Sequence, residues 1–183
     1  MVEVLGIGNA LVDVLDHISD EELERLGVHK GSMRLIDQAE TEKLYNQVGP
    51  ATEISGGSAA NTIAGVASFG GNAAYIGKVA ADQLGSVFRH DITAQGIVFD
   101  TVPDKMGLAT GCSIILITPD GERTMNTFLG ASNALTKADL DLHLIQSTQV
   151  VYLEEPVDTV KLLSSLTWLL GCAAISAPKL HSH

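Results

Sequence analysis

The sequence predicts an α/β fold with a small β appendage, and three observations lead to this class. Short apolar runs of strand character alternate with segments whose ends carry helix-capping residues. The turn Pro119–Gly121 lies between two strand-like runs and indicates a hairpin, because glycine supplies the positive φ of such a turn. Two further short extended segments add to that hairpin. The length of 183 residues suits one domain with a buried core.

The elements of the first half follow from capping residues and helix breakers. Val2–Ile7 has the apolar character of a short buried strand. The remaining predictions are a helix from the capping box Ser19 and Glu22 to Gly27, a second helix from Asp37 and Glu40 through Leu44 and Val48, extended segments at Ser32–Ile36 and Ala51–Ser55, and a helix at Ser58–Phe69.

The second half repeats the alternation of strand and helix. Ala73–Ile76 is predicted as a strand, and Asp82 opens a helix that ends before Gly96. The remaining predictions are the hairpin strands Ser113–Thr118 and Glu122–Phe128, a helix that places Leu135, Ala138, Leu142 and Ile145 on one face, and a strand at Thr148–Leu153.

The composition excludes some classes of partner. With 11 Lys and Arg against 22 Asp and Glu, the formal net charge is 11 − 22 = −11. Such a chain is not suited to the phosphate backbone of nucleic acid or to an anionic membrane surface. Cys112 and Cys172 have no neighbouring ligand clusters and are predicted to be free, buried thiols. The N-terminal residues lack the pattern of a secretory signal, so a cytoplasmic location is expected.

The segment Ser55–Gly85 carries the strongest chemical signal. Its start, Gly56–Asn61, places two glycines before a helix, where backbone can approach a ligand and N–H groups are left unpaired. Asn61 in the first helical turn offers a donor and an acceptor to a pair of hydroxyls. This arrangement suits a neutral polyol better than a phosphate, which favours a nearby Lys or Arg. The alternative is a tight strand-to-helix turn in which Asn61 only satisfies the local backbone.

Asp13 adds an acidic group to this pattern. It follows the first predicted strand, and ligands in open α/β sheets bind at the carboxyl ends of strands. There a carboxylate could accept hydrogen bonds from two sugar hydroxyls. Alone, Asp13 could equally be a solvated loop carboxylate or a helix cap. Combined with the glycines and Asn61, it predicts a site that recognises a diol.

These segments resemble the ribokinase/adenosine kinase (PfkB) family over residues 2 to about 154. The family's first signature is similar, in order and spacing, to Gly56–Asn61, Gly70–Gly71, Gly77–Val79 and Asp82–Gly85. The segments Gly8–Asp13 and Pro119–Ala131 are also similar to the family, and Lys30–Asp37 and Thr118–Asn126 resemble its bacterial adenosine-kinase-like members.

The resemblance implies a Rossmann-like ribokinase fold, here incomplete, with a small β-sheet lid over the sugar site. The lid would consist of the extended segments at 32–36, 51–55 and 111–128. The substrate-binding residues that the resemblance implies are Asn9, Asp13, Gly56, Gly57, Ser58 and Asn61. Arg123 is similar to the lid arginine that lies near the transferred phosphate in adenosine-kinase-like enzymes. Its alternative is an exposed arginine in a surface salt bridge.

The donor side of the family's site has no counterpart in the sequence. The resemblance implies ATP and Mg²⁺ as cofactors, together with a cradle for the donor phosphates and a base for the hydroxyl proton. In the family both features come from a Gly-Ala-Gly-Asp segment at a helix N-terminus, which these 183 residues do not contain. Gly6–Leu11 fails the dinucleotide fingerprint, and Gly71–Val79 fails the Walker A spacing. No catalytic residue and no metal ligand is therefore predicted.

The chain is expected to change character after residue 154. Residues 1–154 are predicted to be the N-terminal portion of a PfkB-type kinase domain with its lid strands, and residues 155–183 an atypical tail without family resemblance. One explanation is a reading-frame shift or a premature end in the encoding DNA. The other is a natural short form whose tail packs as a helix on the exposed sheet through Leu162, Leu163, Leu166, Leu169 and Leu170.

Two functions follow. The first is an ATP-dependent phosphotransferase that acts on a sugar or nucleoside hydroxyl and is adenosine-kinase-like, with its base and ATP site absent from this chain. The second is a non-catalytic nucleoside- or sugar-binding or interaction protein. A small-molecule sugar or nucleoside is the expected partner in either case, and self-association through the lid or an exposed sheet edge is a further expectation.

Overall fold

The strands of the protein are divided between two sheets. The computed structural model describes residues 1–154, and the predicted tail with Cys172 and its leucine-rich helix lies outside the described residues. The strands are β1 (Val4–Ile7), β2 (Leu11–His17), β3 (Met33–Leu35), β4 (Thr52–Gly56), β5 (Ala73–Ile76), β6 (Gly111–Ile117), β7 (Arg123–Phe128) and β8 (Val150–Leu153). The helices are α1 (Asp20–Leu26), α2 (Gln38–Tyr45), α3 (Ser58–Ser68), α4 (Gln83–Ala94) and α5 (Leu142–Ser147), with 3₁₀ turns at Gly130–Ala134 and Lys137–Asp139.

One sheet is parallel and the other is mixed. The three-stranded sheet has the order β5-β1-β8, and the five-stranded sheet has the order β3-β7-β6-β2-β4. In the second sheet, β2 runs parallel to β6, whereas β2–β4 and β6–β7 are antiparallel pairs. Because only Gly8–Ala10 connect β1 to β2, the two sheets meet at that connection. The α/β class is confirmed, and the segments predicted as a β appendage lie in the five-stranded sheet.

The main core lies between the two sheets and the helices α3 and α4. Tyr75, Phe88 and Phe99 form its aromatic cluster, with ring centroids 5.2 Å to 6.1 Å apart. A second, smaller core covers the opposite face of the three-stranded sheet. Its members are Leu5, Ile7, Ala74, Ile76, Leu135, Leu140 and Ile145.

One face of the five-stranded sheet belongs to the main core. The side chains that point there are Val12, Val14, Cys112, Ile114 and Leu116, and Leu23 of α1 and Leu44 of α2 pack against them. Cys112 is a buried, free thiol, as predicted, and burial raises the pKa of this thiol to about 11. Because side chains alternate along a strand, the neighbours of these residues point to the other face, which carries the polar residues described below.

The predicted helix starts are confirmed at three capping residues. The N–H of Glu22 donates to the Ser19 hydroxyl at 3.2 Å, and the Asp37 and Asp82 side chains cap α2 and α4. Within residues 1–154, no helix has the length and apolar character needed to cross a membrane.

Three predictions differ from the structure. The second helix ends at Tyr45 rather than Val48, because the Gly49 N–H donates to the Asp16 carboxylate and draws the chain toward β2. The single helix predicted through Ile145 is instead divided, since the capping side chains of Thr136 and Asp141 each begin a new turn.

The third difference is strand β2, which the sequence analysis did not predict. Only Val12, Asp13 and Val14 alternate between buried apolar and polar side chains, and this period-two pattern is too short to stand out beside the preceding strand.

We expect Phe88→Ala to lower the free energy of unfolding by about 3–5 kcal/mol, because it leaves a cavity in the aromatic cluster. Phe69→Ala is the matched control, since Phe69 is 94% exposed at the end of α3. That change should stay within about 0.5 kcal/mol of the wild type. Urea unfolding followed by circular dichroism measures both values, and equal effects would contradict the assignment of the core.

Candidate functional site

Asp13 lies in the middle of strand β2. The sequence analysis placed it beyond the first strand at the carboxyl end of a sheet, but the chain begins a second strand at Leu11, so Asp13 is a strand residue. Its neighbours across the sheet are Ser113 of β6 and Ile54 of β4. Since Val12 points into the main core, Asp13 points to the opposite face of the five-stranded sheet.

The Asp13 carboxylate is partly desolvated. Burial raises its pKa, and the nearby positive charge of Arg123 acts in the opposite direction. Within residues 1–154 the carboxylate accepts no hydrogen bond. Arg123 is exposed and pairs with Ile117, which lies four residues after Ser113 on β6, so Arg123 and Asp13 share one face of the sheet.

A row of small polar side chains continues from Asp13 across the sheet. Ser113 pairs with Asp13 on one side and with Thr127 on the other, and the two hydroxyls are 2.8 Å apart. Ser113 and Thr127 were not predicted as site residues. Neither hairpin strand alternates regularly between polar and apolar residues, so periodicity provides no signal for them.

The glycine pair Gly56–Gly57 closes one side of the site by direct backbone contact. A Cβ atom on Gly56 would lie 2.3 Å from the carboxyl carbon of Asp13. A Cβ on Gly57, whose φ is +99°, would lie 2.3 Å from the carbonyl oxygen of Asn9. Only glycine fits at both positions. Helix α3 follows at once, and because Gly57 has no side chain, the first N–H groups of the helix have no side-chain cap.

Asn9 is held at the end of β1 from two directions. Its backbone N–H donates to the Glu154 carboxylate at 3.0 Å, while its carbonyl faces Gly57. The side-chain oxygen of Asn9 is buried, and residues 1–154 provide no hydrogen-bond partner for it. Glu154 was not predicted as a site residue. It follows β8, and the order β5-β1-β8 brings it beside β1, which the sequence alone does not show.

The remaining predicted residues lie at the same end of α3. Ser58 and Asn61 are exposed in its first turn, where the Asn61 N–H donates to the Gly57 carbonyl at 2.9 Å. The structure thus places Asn9, Asp13, Gly56 and Gly57 in contact and puts Arg123 on the same sheet face as Asp13.

The described residues do not fit the donor cofactors that the resemblance implies. Among residues 1–154 no group of three His, Cys, Asp or Glu side chains could hold a metal ion. The turn before α3, Gly56–Ser58, contains no lysine or arginine to bind a triphosphate.

Comparison with known proteins identifies the family. The family of pfkB carbohydrate kinases matches residues 30–177. The chain belongs to the pfkB family of carbohydrate kinases. The matched range includes Gly56–Asn61 and Arg123, begins after Asn9 and Asp13, and ends within the segment for which the sequence analysis found no family resemblance. The resemblance and the ribokinase-type fold are confirmed, and pfkB kinases are phosphotransferases.

Two solved structures are similar over nearly the whole chain. The adenosine kinase from Sinorhizobium meliloti is 45% identical with a TM-score of 0.82, and a probable sugar kinase from Rhizobium etli is 42% identical with a TM-score of 0.83. Each comparison covers 93% of this chain and 53% of the other. Fructokinase-2 of Solanum habrochaites is 30% identical over 99 residues, which are 53% of this chain and 30% of that enzyme. The chain thus spans about half the length of these solved relatives.

We expect Gly57→Ala to destabilise the protein by about 3 kcal/mol or more, because it combines a strained backbone with a clash. Gly96→Ala is the matched control. Gly96 also has a positive φ, +82°, but its Cβ would enter open space, so the cost should be about 1–2 kcal/mol. Urea unfolding measures the difference, and equal costs would show that the Gly57–Asn9 contact can relax.

The raised pKa of Asp13 predicts a pH-dependent effect of Asp13→Asn. Well below the ordinary pKa of about 3.9, the carboxyl is protonated in both the folded and the unfolded state. As the pH rises through the higher pKa of the folded state, folding must hold a desolvated charge, so stability is lost. Asp13→Asn should therefore stabilise the protein at pH 7, with a gain that shrinks toward pH 4.

Asp120→Asn provides a control of opposite sign. The hydrogen bond from Lys30 lowers the pKa of Asp120, so loss of that carboxylate should destabilise the protein at pH 7. Urea midpoints between pH 4 and pH 7 measure both variants. A destabilised Asp13→Asn variant at pH 7 would mean that the folded state stabilises the Asp13 charge.

Proposed function

We propose that this chain carries the acceptor-binding portion of an adenosine-kinase-like phosphotransferase, which binds the hydroxyls of a nucleoside or sugar at Asp13. The observation that carries this proposal is the partly buried Asp13 carboxylate, to which residues 1–154 donate no hydrogen bond. Similarity to an adenosine kinase at 45% identity supports the choice of acceptor class.

The chemistry of Asp13 supports a diol as ligand. An ionised carboxylate has two oxygens that accept hydrogen bonds, and burial without donors leaves it less stable than in water. Two vicinal hydroxyls supply both bonds in one plane. Hydrogen bonds to charged groups contribute about 1.5–3 kcal/mol each, so a ligand that donates them to Asp13 is bound more tightly.

The surroundings of Asp13 support the same assignment. The uncapped N–H groups at the start of α3 can donate to hydroxyl oxygens, and the buried Asn9 side-chain oxygen can accept from a hydroxyl or a water. Asn61 stands at the same helix end, with both an acceptor and a donor. Arg123, on the sheet face of Asp13, supplies the positive charge that suits the entering phosphoryl group.

The donor in this proposal is ATP with Mg²⁺, as in the family, but residues 1–154 supply neither the metal ligands nor the phosphate cradle. We therefore assign the base and the donor site to no residue of this chain. A second candidate function is binding without turnover. The observation that favours it is the absence of a Gly-Ala-Gly-Asp segment from the sequence.

Calorimetric titration of the full chain with adenosine, ribose and fructose tests the acceptor assignment. We expect saturable binding of at least one of them, and Asp13→Asn should weaken it by about tenfold to a hundredfold, because one charge-assisted acceptor is lost. Asp16→Asn is the control, since it lies on the same strand but points to the opposite face. Equal weakening by both variants, or no binding of any acceptor, would refute the assignment.

Incubation with ATP and Mg²⁺ then separates the two functions. Phosphorylation of the bound acceptor that Asp13→Asn abolishes supports the phosphotransferase. Binding without any phosphorylated product supports the second candidate.

A further inference from the structure

We propose that Asp91 of α4 is a positioning residue for the acceptor site, acting through Ser55 on the glycine pair; this inference rests on the proposed function. Asp91 lies outside the segments that the sequence analysis singled out. No hydrogen bond joins Asp91 to Asp13 within residues 1–154. Asp91 therefore acts on the site through the backbone of β4.

Two short hydrogen bonds join Asp91 to Ser55. The backbone N–H and the hydroxyl of Ser55 both donate to the same oxygen, Oδ2 of Asp91, at 2.7 Å and 2.6 Å. The amide of Gln95, one turn further along, approaches the Ser55 hydroxyl at 3.5 Å. Ser55 is only 8% exposed, so its donors depend on protein partners rather than on water.

The position of β4 explains why this contact matters. β4 is the last strand in the order β3-β7-β6-β2-β4, so β2 is its only strand neighbour in the described part of the chain. The Ser55 N–H points away from β2 to the open edge, where a sixth strand would otherwise pair with it. Asp91 takes the place of that missing partner and fixes the end of an edge strand.

The end of β4 is also the wall of the site. Ser55 precedes Gly56, whose backbone packs against the Asp13 carboxylate, and Gly57, which packs against Asn9. Neither glycine has a side chain to hold its own position. A displacement of Ser55 therefore moves both glycines and the first N–H groups of α3, and misplacement by about 1 Å is enough to weaken the recognition of a bound group strongly.

A set of four proteins tests the proposal: the wild-type chain, Asp91→Leu, Asp91→Asn and Asp16→Leu. Asp91→Leu removes both acceptors. Asp91→Asn keeps one side-chain oxygen. One oxygen is sufficient to hold Ser55, because Oδ2 alone accepts both bonds in the wild-type chain. Asp16 is the matched control, since its carboxylate also accepts a backbone N–H, that of Gly49 at 2.9 Å, but at a junction away from the glycine pair.

Two measurements are made on each protein: hydrogen–deuterium exchange over residues 55–61 and calorimetric binding of adenosine. We expect Asp91→Leu to accelerate exchange at Gly56 and Gly57 and to weaken adenosine binding by about tenfold or more. Asp91→Asn should restore both quantities to near the wild-type values. Asp16→Leu should accelerate exchange near Gly49 and leave adenosine binding unchanged.

Equal weakening of binding by Asp91→Leu and Asp16→Leu, or unchanged exchange at Gly56 and Gly57 in Asp91→Leu, would overturn the proposal. If Asp91→Leu does not fold, Ser55→Ala serves instead, because it removes only the hydroxyl bond and should shift exchange and binding in the same direction by less. A wild-type chain that does not bind adenosine refutes the proposed function for that acceptor. In that case the exchange rates at Gly56 and Gly57 alone test whether Asp91 positions these two glycines.

Discussion

The contact between the backbones of Gly57 and Asn9 is the constraint on which the site depends. It joins the end of β1, in the three-stranded sheet, to the turn that leaves β4, in the five-stranded sheet. A side chain at Gly57 would overlap the Asn9 carbonyl, so the two sheets can approach this closely only through a glycine. Asp13, four residues after Asn9, is thereby placed against Gly56, and α3 begins at the same point.

The two faces of the five-stranded sheet differ in environment and in the side chains they carry. One face carries Val12, Val14 and the buried Cys112 into the main core, and its burial stabilises the strands. The other face carries Asp13, Ser113 and Thr127, which do not contribute to that core. Because side chains alternate along each strand, β2 both anchors itself in the core and places the Asp13 carboxylate on the opposite face.

Two carboxylates, one at the N-cap of α4 and one within the helix, hold the five-stranded sheet at two junctions. Asp82 caps the helix and also accepts hydrogen bonds from the N–H and hydroxyl of Thr110, directly before β6. Asp91 accepts the two bonds from Ser55, near the end of β4. The helix that packs on the main core therefore also fixes the strands that carry the site. This arrangement links the packing of the core to the geometry of the candidate site.

The sequence by itself determined the class of fold, the family and most element ends. Capping residues such as Ser19, Asp37 and Asp82 act through bonds to residues three positions away, so local sequence was sufficient to find them. The sequence also singled out Gly56, Gly57 and Asp13, because glycines before a helix and a carboxylate after an apolar strand have recognisable local patterns.

Only the tertiary structure decided that Asp13 lies within a strand, that Glu154 reaches Asn9, and that Ser113 and Thr127 lie beside the site. These facts depend on strand order and register, which bring together residues up to 145 positions apart. Sequence periodicity specifies which face a side chain takes but not which strand becomes its neighbour, because pairing depends on how the whole core packs. The same reason hides the role of Asp91, whose partner Ser55 is 36 residues away.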